Sequence, residues 1–175
     1  MPIHLIRHAG TGRELAAIEA PTYARAVEWA LRRGMSLMDA AMAGCDLRGA
    51  FLAGADLRYA VMVGCDLRGA YLRRASLFGA DLREARLSDA ILPGADLRLA
   101  GLRDADLSRA DLRHASLVGA DLRGSILVNA KLDGAILDWR WSDVPIEVLR
   151  RLRHGSAYTP AIARLALAGD ERPWA

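Results

Sequence analysis

Few residues of this 175-residue chain carry reactive groups at spacings that chemistry can use. His4 and His8, four apart, fall on one face of an extended strand, which is half of a metal site, but no Cys or further His completes the set. Cys45 and Cys65 are the only cysteines. Neither stands in a CxxC or beside a histidine pair, so a zinc site and a disulfide framework are unsupported and free thiols are expected. Arg83, Arg103 and Arg123 recur every twenty residues and could contact phosphates as a column, although Asp81, Asp104 and Asp121 stand beside them. Phe51, Tyr71 and Ile91 recur at the same interval, with Arg73 and Arg74 close by. Aromatic residues beside arginine are enriched where proteins bind each other. No nucleophile, base and orienting group converge, so the chain is expected to be no enzyme, with no catalytic residue, no cofactor and no metal.

Composition bounds the class. Hydrophobic residues make up 53% and charged residues 26%, with 24 Lys+Arg against 21 Asp+Glu. The length suits one globular domain. Charges interrupt every apolar run well before the 18 or so residues a membrane span needs, so no membrane partner is expected. The start, Met1 to His8, has the wrong flanks and too short an apolar core for a secretory signal, and a cytoplasmic protein is expected.

The elements that position these residues follow from a period of five. Every fifth residue from 42 to 137 is Leu in eighteen cases and Met in two, Met42 and Met62. Two residues before each is Ala in seventeen cases, with Cys45, Cys65 and Ser125 filling the rest. A step of five scatters leucines around a helix and flips them across a strand. They share one interior only if the chain turns a corner every five residues. Cys45-Asp46-Leu47-Arg48-Gly49-Ala50 recurs intact at 65 to 70, each copy followed by an aromatic, so twenty residues make one circuit. Four sides of five give a square coil, and residues 40–139 give five coils, about 24 Å of rod at strand spacing. Ten of the fives end in Gly, suited to the positive φ of a type II turn's third residue, with Leu92-Pro93-Gly94-Ala95 the clearest case. Corners ending in Arg74, Glu84, Leu99 or Arg109 are expected to use another turn type. Cys45 and Cys65 then stack one coil apart, side by side and inward, as core packing.

Ala80-Asp81-Leu82-Arg83-Glu84, Ala95-Asp96-Leu97-Arg98-Leu99 and Ala120-Asp121-Leu122-Arg123-Gly124 match the Ala-Asp/Asn-Leu-x-x pattern of the pentapeptide repeat family, which the chain resembles over about 100 residues. The resemblance implies an all-β solenoid, a right-handed quadrilateral parallel β-helix, and dimerisation through C-terminal helices as an option. It implies no particular function. A shorter stretch, His4 to Thr11, looks like the Arg-His segment of histidine phosphatases, where the His is phosphorylated and the Arg binds phosphate. That fold needs a parallel sheet with helices and a second catalytic His, whereas the next 100 or so residues are committed to a coil, so a structural hairpin is expected.

A solenoid needs both ends covered. Residues 1–39 read as an N-terminal cap, with strands over 2–8 and 13–20 around Ala9-Gly10-Thr11-Gly12. A helix from Pro21 to Arg33 follows, with Tyr23, Val27, Ala30 and Leu31 at helical spacing. Residues 140–175 read as a C-terminal helical cap, with Trp139 and Trp141 available to plug the open end.

Within residues 40–139, 13 acidic and 13 basic residues give a net charge of zero. The side that begins at residue 50 is the most basic, with Arg73, Arg74, Arg113 and Lys131 against Asp111 and Asp133. The best-known members of the resembled family imitate DNA in shape and charge and bind type II topoisomerases, which calls for a negative surface. A neutral rod departs from that requirement, so DNA gyrase is a disfavoured partner, and nucleic acid is disfavoured by the acids beside the arginines. Phe51, Tyr71 and Ile91 form an apolar column on the basic side that a protein partner, a dimer mate or the chain's own cap must cover. The expected function is a noncatalytic, rigid macromolecular binding or scaffold module. Its alternatives are a DNA-mimicking inhibitor or protector of a type II topoisomerase and a structural or oligomer-forming protein.

Overall fold

A leucine and an alanine two residues apart build each side of the coil, and their burial decides the path of the chain. In the computed structural model, which describes residues 1–137, the leucines from Leu47 to Leu117 in the five-residue register are fully buried, with the alanines beside them at or near zero exposure. Residues twenty apart are bridged in parallel, as in Phe51 to Tyr71 to Ile91 and Asp46 to Asp66 to Arg86. In the middle coils each five donates three hydrogen bonds to neighbouring coils. On one of them the Tyr71 N–H donates to Ala50 O at 2.9 Å, the Leu72 N–H to Ile91 O at 2.7 Å and the Arg74 N–H to Pro93 O at 3.0 Å. A fourth closes the corner, from the Ala75 N–H to Leu72 O at 3.0 Å.

The corners correct one expectation. Arg74, Glu84, Leu99 and Arg109 have φ of 55°, 59°, 57° and 59°, the same left-handed sign as the glycine corners. A side chain there costs on the order of 1–2 kcal/mol. The ladder explains why the conformation is kept, because the corner N–H must reach the next coil: Leu99 N–H donates to Val118 O at 3.0 Å and Arg109 N–H to Val128 O at 2.8 Å. A left-handed corner also lays its side chain along the rod. The Tyr59 ring and the Leu99 isobutyl group lie 2.7 Å from where β-carbons on Gly79 and Gly119 would stand, and His114 occupies that place over Gly134. Glycine at these corners is therefore favoured by the neighbour below as well as by φ. Large corners also stack on one another, and at Asp89 and Arg109 the two form an ion pair of 2.6 Å.

At the start, β1 (Ile3–His8) and β2 (Glu14–Glu19) form an antiparallel hairpin, and β1 pairs along its other edge with β3 (Ala40–Ala41), giving the order β2-β1-β3. Further along the coil, β4 (Ser116–Leu117) and β5 (Ile136–Leu137) pair in parallel. The helix α1 spans Tyr23–Arg32, two residues shorter at its start than the spacing predicts. Thr22 rather than Pro21 sets that start, its side chain accepting from the Arg25 N–H at 3.2 Å. Its buried face is Ala26, Val27, Glu28 and Ala30. Glu28 is the surprise: its Oε1 accepts from the Phe51 N–H at 3.0 Å, a donor that would otherwise be left open on the first coil, and its other oxygen takes Arg25 at 2.7 Å. No helix among the described residues is long and apolar enough to cross a membrane. The expected C-terminal cap over 140–175, with Trp139 and Trp141, lies outside the described residues.

Candidate partner face

The coil leaves one backbone donor per five outside the ladder, that of the second corner residue, and the local sequence answers it in two ways. At Leu92-Pro93-Gly94 the residue is proline, which has no N–H. At Asp46, Asp56, Asp66, Asp81, Asp96, Asp106, Asp111 and Asp121 the carboxylate accepts that N–H from the residue two places on, at 2.9 to 3.4 Å. This is an Asx-type turn. In seven of the eight the donor residue is Arg, and its guanidinium folds back on the same carboxylate through two bonds. The Arg48 and Arg58 side chains, foremost by this hydrogen bonding, hold Asp46 and Asp56 down to about 2, and the other five arginine-paired aspartates are shifted in the same direction.

The supposed phosphate column is therefore spoken for. Arg83 and Arg123 lie 2.7 and 2.6 Å from Asp81 and Asp121, and Arg103 lies 3.4 Å from Asp104. The histidines serve the hairpin: His4 Nε2 is 3.1 Å from Ala20 O, and His8 Nδ1 accepts from the Gly10 and Thr11 N–H groups. Among the described residues no cluster of three or more His, Cys, Asp or Glu could hold a metal ion.

Cys45 and Cys65 are free thiols beneath α1, Cys65 buried and Cys45 partly so. Cys65 donates to Met42 O at 2.6 Å. Its side chain holds the Cys45 thiol below its ordinary value, while the Cys65 thiol is pushed up. The buried Tyr23 hydroxyl has no hydrogen-bond partner among the described residues, and burial foremost raises its pKa.

The side beginning at residue 50 differs from the other surfaces. The rings of Phe51 and Tyr71 are stacked, with centroids 4.7 Å apart and planes 7° from parallel. Both are open to water, at 57% and 40% exposure, and Ile91 continues the column as a half-buried residue bridged to Tyr71. Ala53 and Pro93, which the sequence reading left out, flank the column one position over on the outward side. Arg73 and Arg74 are exposed, and among the described residues neither has a carboxylate within 4.0 Å. The Arg74 stem is anchored at its corner, with Cγ 3.6 Å from the place of a β-carbon on Gly94. Around the next corner Phe78 takes Tyr59 edge-on at 5.6 Å and Arg98 over its face at 5.3 Å, but Arg98 is already bonded to Asp96.

Among solved structures the chain is similar to HetL, a pentapeptide repeat protein involved in heterocyst differentiation regulation from the cyanobacterium Nostoc sp. strain PCC 7120. The identity is 38% and the TM-score 0.42, over 59% of this chain and 53% of HetL. The chain thus spans about half the length of that relative. It is also similar to a pentapeptide repeat protein of the Arabidopsis thaliana thylakoid lumen, at 25% identity and TM-score 0.40 over 73% of this chain and 87% of that one. A trypsin-treated variant of QnrB1, a plasmid-mediated fluoroquinolone resistance protein, matches at 26% identity and TM-score 0.34 over 61% of each chain. No curated protein matches the sequence. The sequence profile of the pentapeptide repeats matches in eight copies over residues 36–74, 70–109, 80–117 and 100–138. That span is more than half of the 175 residues and coincides with the coil, so the chain belongs to the pentapeptide repeat family.

Proposed function

We propose that the chain is a noncatalytic rod of about five coils, closed at one end by the hairpin and α1. In this reading it is a rigid protein-binding module whose partner face is Phe51, Tyr71 and Ile91 with Arg73 and Arg74. The observation that carries the reading is a contrast. Over most of the coil the outward charges neutralise one another in bidentate pairs, whereas on this side two exposed rings stand with two guanidinium groups that have no carboxylate partner among the described residues. Exposed apolar surface of this kind is favourable only when covered, and a rigid scaffold presents it without an ordering cost on binding. Proteins of this family are generally noncatalytic structural or binding proteins, and the interior is filled by leucine and alanine. A DNA mimic draws less support, since it needs free carboxylates and the eight turn aspartates are each bonded to their own corner.

The test is Tyr71→Asp. The variant should keep its circular dichroism, because the ring points outward, and lose association measured by light scattering or by capture of partners from the native cytosol. A folded variant with unchanged association and unchanged partners removes the reading.

A further inference from the structure

We infer that the occupant of the Phe51–Tyr71–Ile91 face is an acidic segment of a partner protein, its carboxylates held by Arg73 and Arg74 against the edges of the stacked rings. The inference rests on the protein-binding reading above and narrows it. The direction of stacking comes first. Phe51 and Tyr71 are paired across adjacent coils with their planes 7° from parallel, so the ring faces look along the rod at each other and towards Ile91. Water meets the ring edges. An aromatic edge carries the positive end of the quadrupole and a face the negative end. Nucleobases and cations seek faces, and the two faces that Phe51 and Tyr71 turn to each other are taken up by the stack. Edges suit carboxylates.

The arginines point the same way. Seven coil arginines spend their bidentate geometry on the aspartate two residues before them, but residues 71 and 72 are Tyr and Leu, so neither Arg73 nor Arg74 has such an acid at hand. On the same side Asp111 is bonded to Arg113. Among the described residues two forked donors therefore stand open beside an apolar strip, the arrangement that recognises carboxylates in an otherwise apolar segment. A second copy of the chain fits less well. A two-fold contact sets the patch against itself, which brings Arg73 and Arg74 towards their own counterparts.

The experiment uses the full chain and three fluorescent probes: a peptide of alternating Glu and Leu, its Lys and Leu counterpart, and a single-stranded oligothymidylate. Anisotropy should show saturable binding of the acidic peptide, about tenfold or more tighter than the basic one, weakening about tenfold as salt rises from about 50 to about 300 mM. Arg73→Glu should abolish it while leaving the left-handed corner at Arg74 untouched, and Arg73→Gln should weaken it with circular dichroism unchanged. Failure of the acidic peptide, or binding indifferent to Arg73→Glu, overturns the inference. Hydroxyl-radical footprinting of Tyr71 with light scattering then separates the two levels. Protection that grows with concentration in a dimer keeps protein binding and removes the acidic segment. Protection in a monomer means the chain covers its own face, and binding of the oligothymidylate lost in Arg73→Glu means nucleic acid; either of these removes both readings.

Discussion

The ring of Tyr59 lies 2.7 Å from the point where a β-carbon on Gly79 would stand, although the two residues are twenty apart. Gly64 has the same φ of 64° and nothing within 4 Å of its own missing β-carbon.

These two glycines make a controlled pair. Gly64→Ala should cost only the left-handed strain, about 1 kcal/mol. Gly79→Ala should cost roughly 0.5–1.5 kcal/mol more, because the Tyr59 ring must swing away and give up its edge-to-face contact with Phe78. Chemical denaturation of the two variants checks this, and adding Tyr59→Gly should remove the excess. Equal losses would mean that only φ matters at these corners.

In the core, Leu82 and Leu102 are both fully buried at equivalent places in adjacent coils. Leu102→Ala should destabilise by about 2–5 kcal/mol, since a rigid ladder on both sides limits collapse into the cavity. Arg103→Ala, next to it but exposed, should stay within about 0.5 kcal/mol of the parent. Similar denaturation midpoints for the two would sink the five-residue register.

Acid should weaken the fold in a defined window. Asp56 stands at about 2 against an ordinary 3.8, foremost through its hydrogen bond with Arg58. A depressed folded-state value means that the folded chain binds fewer protons, so the contribution is complete above about pH 4 and is lost as pH falls towards 2. The urea midpoint should therefore fall between about pH 4 and pH 2, and less steeply in Asp56→Asn. A flat midpoint over that range would count against the paired turns.

The thiols should react unequally. Cys45 is partly exposed and held below its ordinary pKa by Cys65, which is buried and pushed up. Iodoacetamide at about pH 7 should label Cys45 alone in the native protein and Cys65 only after unfolding. Mass spectrometry of the labelled peptides decides it, and equal labelling would contradict the burial of Cys65.

Gyrase supercoiling should be unaffected by micromolar protein. Eight of the coil's aspartates are bonded to their own corners, and a positive DNA-binding groove gains little from carboxylates already bonded to arginine. Strong inhibition would show that local pairing does not govern that kind of recognition.

The leucine and alanine columns were open to reading from residue order, because a large and a small residue every five places have only one way to share an interior, and the duplicated Cys-Asp-Leu-Arg-Gly-Ala set the circuit. The apolar column followed from the same count. The turn aspartates were not visible that way: summed as charges, Asp81 and Arg83 cancel, and only the direction of the Arg83 N–H, outside the ladder and donated to Asp81, shows that they are one device. Leu99 reads as a poor left-handed residue because propensity sees the strain and not the bond to Val118. Glu28 reads as a solvent residue of an amphipathic helix, since nothing local to α1 reveals the unclaimed amide of Phe51.

The alternation of large and vacant corners has a consequence for how such a chain can lengthen. Along one edge the order is Gly54, Arg74, Gly94, His114, Gly134, and along the next it is Tyr59, Gly79, Leu99, Gly119. Copying a single coil by gene duplication would keep the ladder in step but set a bulky corner on another bulky corner at one of these edges. Copying two coils at once keeps both the ladder and the alternation. On these two edges the unit of growth that preserves the alternation is a pair of coils, twice the length of the structural repeat.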